Sequence, residues 1–302
     1  MIPLLVAIAL LLGLFRVWVP QFLATENLLD LAQQISVNAI LAFGMTLVIL
    51  IGGIDLSVGA VVALIGTVAV SVLPHGGVFV GLLAGFGVAA VFGAINGVCS
   101  ARTRMPAFII TLATMLIARG AALRFNESRP LPVADSERLF LALGNDRLFG
   151  VVPVPILLML VAFTVSAVLL HRTRFGQHLY AIGGNPEAAR FTGIPIVRNV
   201  IVVYMICSVY AGLAGVIHAS QLYSAEPGSG QGFELNAIAA VVVGGTSFTG
   251  GIGRMSGTLI GAIIIGILDK GLNQAGVHFS LQYIVKGLVI LAAVYLDVRR
   301  RK

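Results

Sequence analysis

The sequence predicts an all-α polytopic membrane protein of about ten transmembrane helices, some short or broken, forming a single domain over residues 1–302. Three observations predict it. Apolar residues make up 58% of the chain and charged residues 10%, against about 45–50% and 25% in soluble domains. The apolar residues gather in ten runs, most of them near the ~20 residues a helix needs to cross hydrocarbon. The cations stand in connections between those runs, so the formal charge of +7 is a membrane pattern and argues against nucleic acid as a partner.

The first run, 4–19, lacks the basic start and small-residue cleavage site of a signal peptide and reads as a first span. It begins almost at once, so a short cytoplasmic tail is expected ahead of it. Runs at 28–51, 58–73, 79–100 and 105–123 follow. Segment 126–150 is hydrophilic, mixes charges of both signs and carries Pro130 and Pro132; it reads as an external loop with one surface helix. After the run 152–171 comes a basic internal segment, 171–199, then runs at 200–218, 236–250, 256–272 and 282–298. The runs at 58–73 and 236–250 are short enough to be tilted, broken or incompletely spanning.

An even number of spans puts both termini on one side. That side collects Arg102, Arg104, Arg172, Arg174, Arg190, Arg198, Arg254, Arg299, Arg300, Arg301 and Lys302, and the positive-inside rule makes it cytoplasmic. Within 171–199, Asn185 and Pro186 can start a short helix at "PEAARF", with Glu187 complementing its N-terminus and Gly193 and Pro195 ending it. Such a segment is either a docking helix for a partner's groove or a solvated loop with an incidental turn of helix.

Asp55, in "VILIGGIDLSVGAVVALIG", is a charge between two apolar runs, which is costly unless paired, hydrated or at a helix end. Gly52, Gly53 and Gly59 flank it and permit a break in the helix. Two readings stand: Asp55 lines a hydrated path at the break, or it caps the helix beginning "LSVGAV" with Ser57 helping. Gly253, Gly257 and Gly261 recur every four residues, as do Gly93 and Gly97, a spacing for close helix packing. "EPGSGQGF" (226–233) reads as external, either a mobile rim where a delivering protein docks or a plain flexible loop. Cys99 and Cys207 lie inside apolar runs and read as small hydrophobes. The five histidines form no metal-ligand spacing, and the chain has neither a phosphate-binding G-x-x-x-x-G-K-[ST] run nor a G-x-S-x-G elbow. No cofactor, metal or catalytic site is expected, and the chain cannot hydrolyse ATP by itself.

Four stretches in order, "GGIDLSVGA", "MPAFIITLATM", "TRFGQHLYAIGGNPEAARFTGI" and "ELNAIAAVVVGGTSFTGGIGRMSGTLIGA", resemble the signatures of ribose-type sugar permeases of bacterial ABC importers. The resemblance runs from about residue 28 to the end. It implies an inner-membrane permease working as a homodimer with an ATP-binding subunit, a periplasmic or extracellular sugar-binding protein and a monosaccharide substrate. It also places the family's E-A-A-x-x-x-G pattern, which contacts the ATPase subunit, on Glu187, Ala188, Ala189 and Gly193. A sugar needs donors and acceptors along its route. Asn38, Asp55, Ser57, Asn96, Thr111, Thr114 and Asn236 are the path candidates, with Thr46 beside them; apart from Asp55 and Ser57, whose other reading is the cap, each also reads as a hydrogen bond gluing helices. The rivals are an intramembrane enzyme and a proton-coupled secondary carrier, both using Asp55.

Overall fold

The computed structural model describes residues 2–299; Arg300, Arg301 and Lys302, counted above among the cytoplasmic cations, lie outside the described residues. The architecture is all-α apart from two ribbons of two residues per strand. Six helices are long and apolar enough to cross a membrane: α2 (Thr25–Leu50), α3 (Val58–Arg102), α4 (Ala107–Phe125), α6 (Val154–Arg172), α9 (Ile196–Gln221) and α11 (Met255–Gln274). Shorter apolar helices are α1 (Ile2–Trp18), α10 (Phe233–Val243) and α12 (Phe279–Arg299). The chain is a multi-pass membrane protein.

At 45 residues α3 is twice the length of a span. It is two limbs. Pro74 removes a helical hydrogen bond, and Gly77 takes φ 68°, ψ −175°, outside helical space. The chain folds back there, so that Gly81 faces the Ala69 carbonyl and Gly85 faces Ile65. One helix thus carries both apolar runs, 58–73 and 79–100.

α2 occupies the centre, with every residue from Ala39 through Leu50 buried. The second limb of α3 lies against α9 through its small residues: a side chain on Gly93 or Gly97 would meet the backbone of Met205 or Ile201. The paired spacing of these glycines is therefore a packing device, as expected.

Two corrections concern the end of the chain. The run 236–250 is helical only to Val243; residues 244–254 leave the helix through Gly245, Gly250 and Gly251, all at positive φ. Gly253 precedes α11, so it does not share a helix face with Gly257 and Gly261, which alone pack against the carbonyls of Gly244 and Ala240.

The bundle has two distinct ends. At one lie α5 (Arg138–Asn145) and the ribbons. β1 (Leu131–Pro132) pairs antiparallel with β4 (Ser224–Ala225), and β2 (Arg147–Leu148) with β3 (Val152–Pro153). Segment 126–150 is more anchored than a surface loop: α5 buries Phe140, and the Gly144 N–H donates to Ser220 Oγ at 2.9 Å. At the other end lie α7 (Arg174–Gly184), whose N-terminus Thr173 caps, and α8 (Pro186–Phe191). The segment 171–199 therefore holds a second helix besides the short one.

Candidate translocation path and coupling surface

The break around Asp55 is built from local rules. α2 stops at Leu50 because Gly52 turns left-handed (φ 78°), and the Gly53 N–H returns to the Val48 carbonyl at 2.9 Å, the six-to-one bond of a Schellman ending. The chain then runs without helical bonds to Val58. Asp55 Oδ1 accepts from the Ser57 N–H (2.9 Å) and from Ser57 Oγ (2.6 Å). Asn96 Nδ2 of α3 donates to Ser57 Oγ (2.9 Å), and Thr114 Oγ1 of α4 donates to Asn96 Oδ1 (2.7 Å). Thr111 Oγ1 reaches the Ile54 carbonyl at 3.2 Å.

Four of the seven path candidates, Asp55, Ser57, Asn96 and Thr114, thus form one chain of side-chain hydrogen bonds joining the break to both neighbouring helices, and Thr111 bonds the break separately. Asp55, Ser57, Asn96 and Thr111 are fully buried. Asp55 holds the N–H of Ser57, the N-cap residue of α3, in an Asx-type turn just ahead of the helix, not as its cap. Ser57 does not cap with its own side chain, contrary to expectation, because its hydroxyl is committed to the carboxylate. Asp55 Oδ2 is buried and has no hydrogen-bond partner among the described residues. Thr46 bonds Thr258 Oγ1 at 2.8 Å and joins α2 to α11.

The other two candidates lie elsewhere. Asn38 and Asn236 line a cavity of about 640 Å³ at the α5 end, enclosed by α2, α9, α10, α11 and α12. Volume of this size is typical of small-molecule sites. Beside them are two charges the sequence does not single out, Asp269 of α11 and Lys286 of α12, whose Oδ1 and Nζ are 3.0 Å apart. Asn236 bridges the pair: its Nδ2 donates to Asp269 Oδ2 (3.3 Å), and Lys286 Nζ donates to its Oδ1 (3.4 Å). Their signal was the same as that of Asp55, an ionisable group within an apolar run. It is weaker because charges near the ends of spans commonly reach the interface.

At the opposite end, three backbone segments meet with almost no side chain between them. The Gly251 N–H donates to the Leu50 carbonyl at 2.8 Å. A Cβ on Gly183, near the end of α7, would run into that carbonyl and into the Gly251 nitrogen. Gly250 sits at φ 88° against Leu50, Gly52 and Gly183. Tyr180 Oη donates to the Gly253 carbonyl at 2.7 Å, and burial raises its phenol further above its ordinary pKa, with Arg254 opposing, so it stays a donor. The end of α7 thereby touches both the break after α2 and the loop between α10 and α11.

α8 continues directly from this contact. Asn185 Oδ1 accepts the Ala188 N–H at 3.0 Å, and Pro186 fills the first turn. Gly193 at φ 80° makes the exit, with the Ile194 N–H returning to the Ala189 carbonyl at 3.1 Å. Ala189 is buried, whereas Glu187, Ala188 and Gly193 are exposed. Phe191, four residues after Glu187, is 90% exposed. Phe191 is thus a large apolar side chain left uncovered at the end of a short capped helix. The sequence motif did not mark it because its pattern is written in small residues.

A family model described as "Branched-chain amino acid transport system / permease component" matches residues 27–294. The chain is 45% identical over 300 residues to the ribose import permease of Escherichia coli K12, covering 98% of this chain and 93% of that one. It is 36% identical over 299 residues to the L-arabinose transport system permease of the same organism (99% and 90% covered). To that organism's D-allose transport system permease it is 38% identical over 293 residues (96% and 89%). No solved structure matches the chain significantly. With the family match spanning the break, the cavity wall and the α7–α8 segment alike, the chain belongs to the branched-chain amino acid transport system / permease component family.

Proposed function

We propose that this chain is the permease subunit of a binding-protein-dependent ABC importer in the bacterial inner membrane, carrying a ribose-like monosaccharide inward. The observation that carries the reading is similarity over nearly the whole chain to permeases named for ribose, arabinose and allose. ATP is hydrolysed by a separate subunit; a soluble sugar-binding protein delivers the substrate. A proton-coupled carrier working through Asp55 finds no support among these relatives.

The arrangement we infer has ten membrane segments: α1, α2, the two limbs of α3, α4, α6, α9, the half-length α10, α11 and α12. Both termini and the α7–α8 end then face the cytoplasm, and the α5 end with its cavity faces outward. Two copies of the chain form the pathway. Glu187, Ala188, Ala189 and Gly193, with Phe191, dock on the ATPase subunit. Closure of the ATPase dimer moves α8 and α7, and the glycine contacts pass that movement to Leu50–Gly53 and Gly250–Gly253. The Asp55 chain stiffens the break so that α3 and α4 follow. Asn38 and Asn236 meet the sugar at the outer mouth, while Asp55, Ser57, Asn96, Thr111 and Thr114 meet it only once the helices part.

The test is uptake into proteoliposomes holding the permease, the ATPase and the binding protein. D-ribose, L-arabinose and D-allose are offered in parallel. Uptake of at least one must require ATP and the binding protein. Uptake driven by a proton gradient without ATP overturns the reading.

A further inference from the structure

We propose that the outer cavity contains a polyol-binding subsite built on the Asp269–Lys286 ion pair, with Asn236, Asn38 and Gln221 completing it, and that a neutral monosaccharide occupies it on release from the binding protein. The inference rests on the reading of the chain as a sugar permease.

The ion pair is largely but not wholly withdrawn from solvent, with side-chain exposures of 15% for Asp269 and 22% for Lys286. Two charges held 3.0 Å apart cancel at a distance, and the third charge lining the cavity, Asp30, has Lys270 Nζ 4.0 Å away. Close up Asp269 and Lys286 remain a strong acceptor and a strong donor. A carboxylate accepts from two neighbouring hydroxyls, and an ammonium donates to a third. Asn236 both donates and accepts between them. This is the complement of a neutral molecule whose surface is a ring of hydroxyl groups.

A second observation points to the same occupant. Asn38 and Gln221 line this cavity, and Asn38 Oδ1 and Gln221 Nε2 are turned into the protein, buried and without a hydrogen-bond partner among the described residues. One is an acceptor and the other a donor. Buried polar atoms are nearly always paired, and a polyol seated in the cavity would give both amides a partner once they rotate toward it. Tyr283 adds an apolar wall. The five polar groups come from five different helices, α2, α9, α10, α11 and α12. Any movement of those helices during transport takes the subsite apart, which releases the sugar onward.

The alternative role for the pair is a structural latch between α11 and α12. The readout that separates the two is sugar delivered per ATP hydrolysed, in the complete complex, for whichever of D-ribose, L-arabinose and D-allose the wild type carries. Asp269→Asn and Lys286→Met are expected to keep ATP hydrolysis stimulated by loaded binding protein while sugar per ATP falls at least about tenfold, the loss of one charge-assisted hydrogen bond. Gln221→Leu removes a side-chain donor with no protein partner, so it is expected to fold with wild-type thermal stability and still lower sugar per ATP. Gln221→Leu keeps the test decisive if the ion-pair variants fail to fold. Wild-type sugar per ATP in Gln221→Leu, or in folded Asp269→Asn and Lys286→Met, overturns the subsite. If the wild type itself moves none of the three sugars with ATP, the permease reading fails first, and that outcome is distinct from the others.

Discussion

Gly183 and Gly184 are adjacent on α7, yet only one of them is locked into the junction of α7 with the α2 break and the α10–α11 loop. A Cβ on Gly183 would collide with the Leu50 carbonyl and the Gly251 nitrogen, both backbone atoms, whereas a Cβ on Gly184 meets nothing within 4 Å. Each Gly→Ala change raises intrinsic helix propensity by the same ~1 kcal/mol. The difference between them therefore reads the junction alone. Overpacking against backbone costs about 1–3 kcal/mol, and loss of the Gly251-to-Leu50 hydrogen bond about 0.5–1.5 kcal/mol. A total of about 1.5–4.5 kcal/mol shifts the ratio of closed to parted junction roughly 10- to 1,600-fold, at about 1.4 kcal/mol per decade. A cysteine at Ile51, half-buried in the junction, reports the shift in a background with Cys99 and Cys207 changed to Ala. In the assembled complex without ATP, Gly183→Ala should label with a thiol reagent far faster than Gly184→Ala. Equal labelling rates in two folded variants would refute the role of the contact.

Three further expectations follow from the same geometry. Glu187→Arg, or Gly193→Trp at a residue held at φ 80°, should abolish ATP-driven uptake while the permease remains inserted, as checked by membrane fractionation and uptake assay; wild-type uptake removes α8 from coupling. Cysteines placed at Arg129 and Arg190 should react with an impermeant reagent from opposite sides of the membrane, and same-side labelling overturns the ten-segment arrangement. Asp55→Asn should retain part of the uptake per folded permease, because an amide oxygen still accepts from Ser57. Asp55→Leu should lose nearly all of it, since leaving the Ser57 N–H and hydroxyl unsatisfied costs about 1–3 kcal/mol each; equal and complete inactivation by both sinks the hydrogen-bonding role.

What was legible in the sequence was what apolar length and single residues determine. The ten runs fall on helical limbs, apart from the stretch after Val243; Gly93 and Gly97 pack, and the capped turn at Pro186–Phe191 is written in Asn185, Pro186 and Gly193. The sequence did not disclose α7, whose 11 residues carry polar and basic positions and no apolar run. Nor did it show that Asp55, Ser57, Asn96 and Thr114 are one connected set. Residues 39 and 18 positions apart are joined by helix packing, which no local pattern records. The α7 junction is hidden for a related reason: glycines advertise freedom in a sequence, and only the folded chain reveals that these are needed for contact. Asp269 and Lys286 were visible as charges, but their pairing across two helices was not.

The half-length of α10 bears on how the protein is made. Its 11 residues rise about 16 Å, roughly half the thickness of the hydrocarbon. Beyond Val243 the backbone leaves the helix, and peptide groups stranded in lipid are costly. In the folded chain the turn bonds largely to itself, with the Gly244, Gly245 and Thr246 N–H groups returning to α10 carbonyls and the Ser247 N–H to Ile252, while the Gly251 N–H reaches α2 and Gly257 and Gly261 of α11 pack closely on the Gly244 and Ala240 carbonyls. α2 is synthesised long before, but α11 emerges after. Until α11 emerges, the face of α10 that Gly257 and Gly261 cover stays bare. Chains ending between residues 254 and 274 would present α10 and its turn without that cover, so α10 and α11 are expected to enter the bundle as a pair.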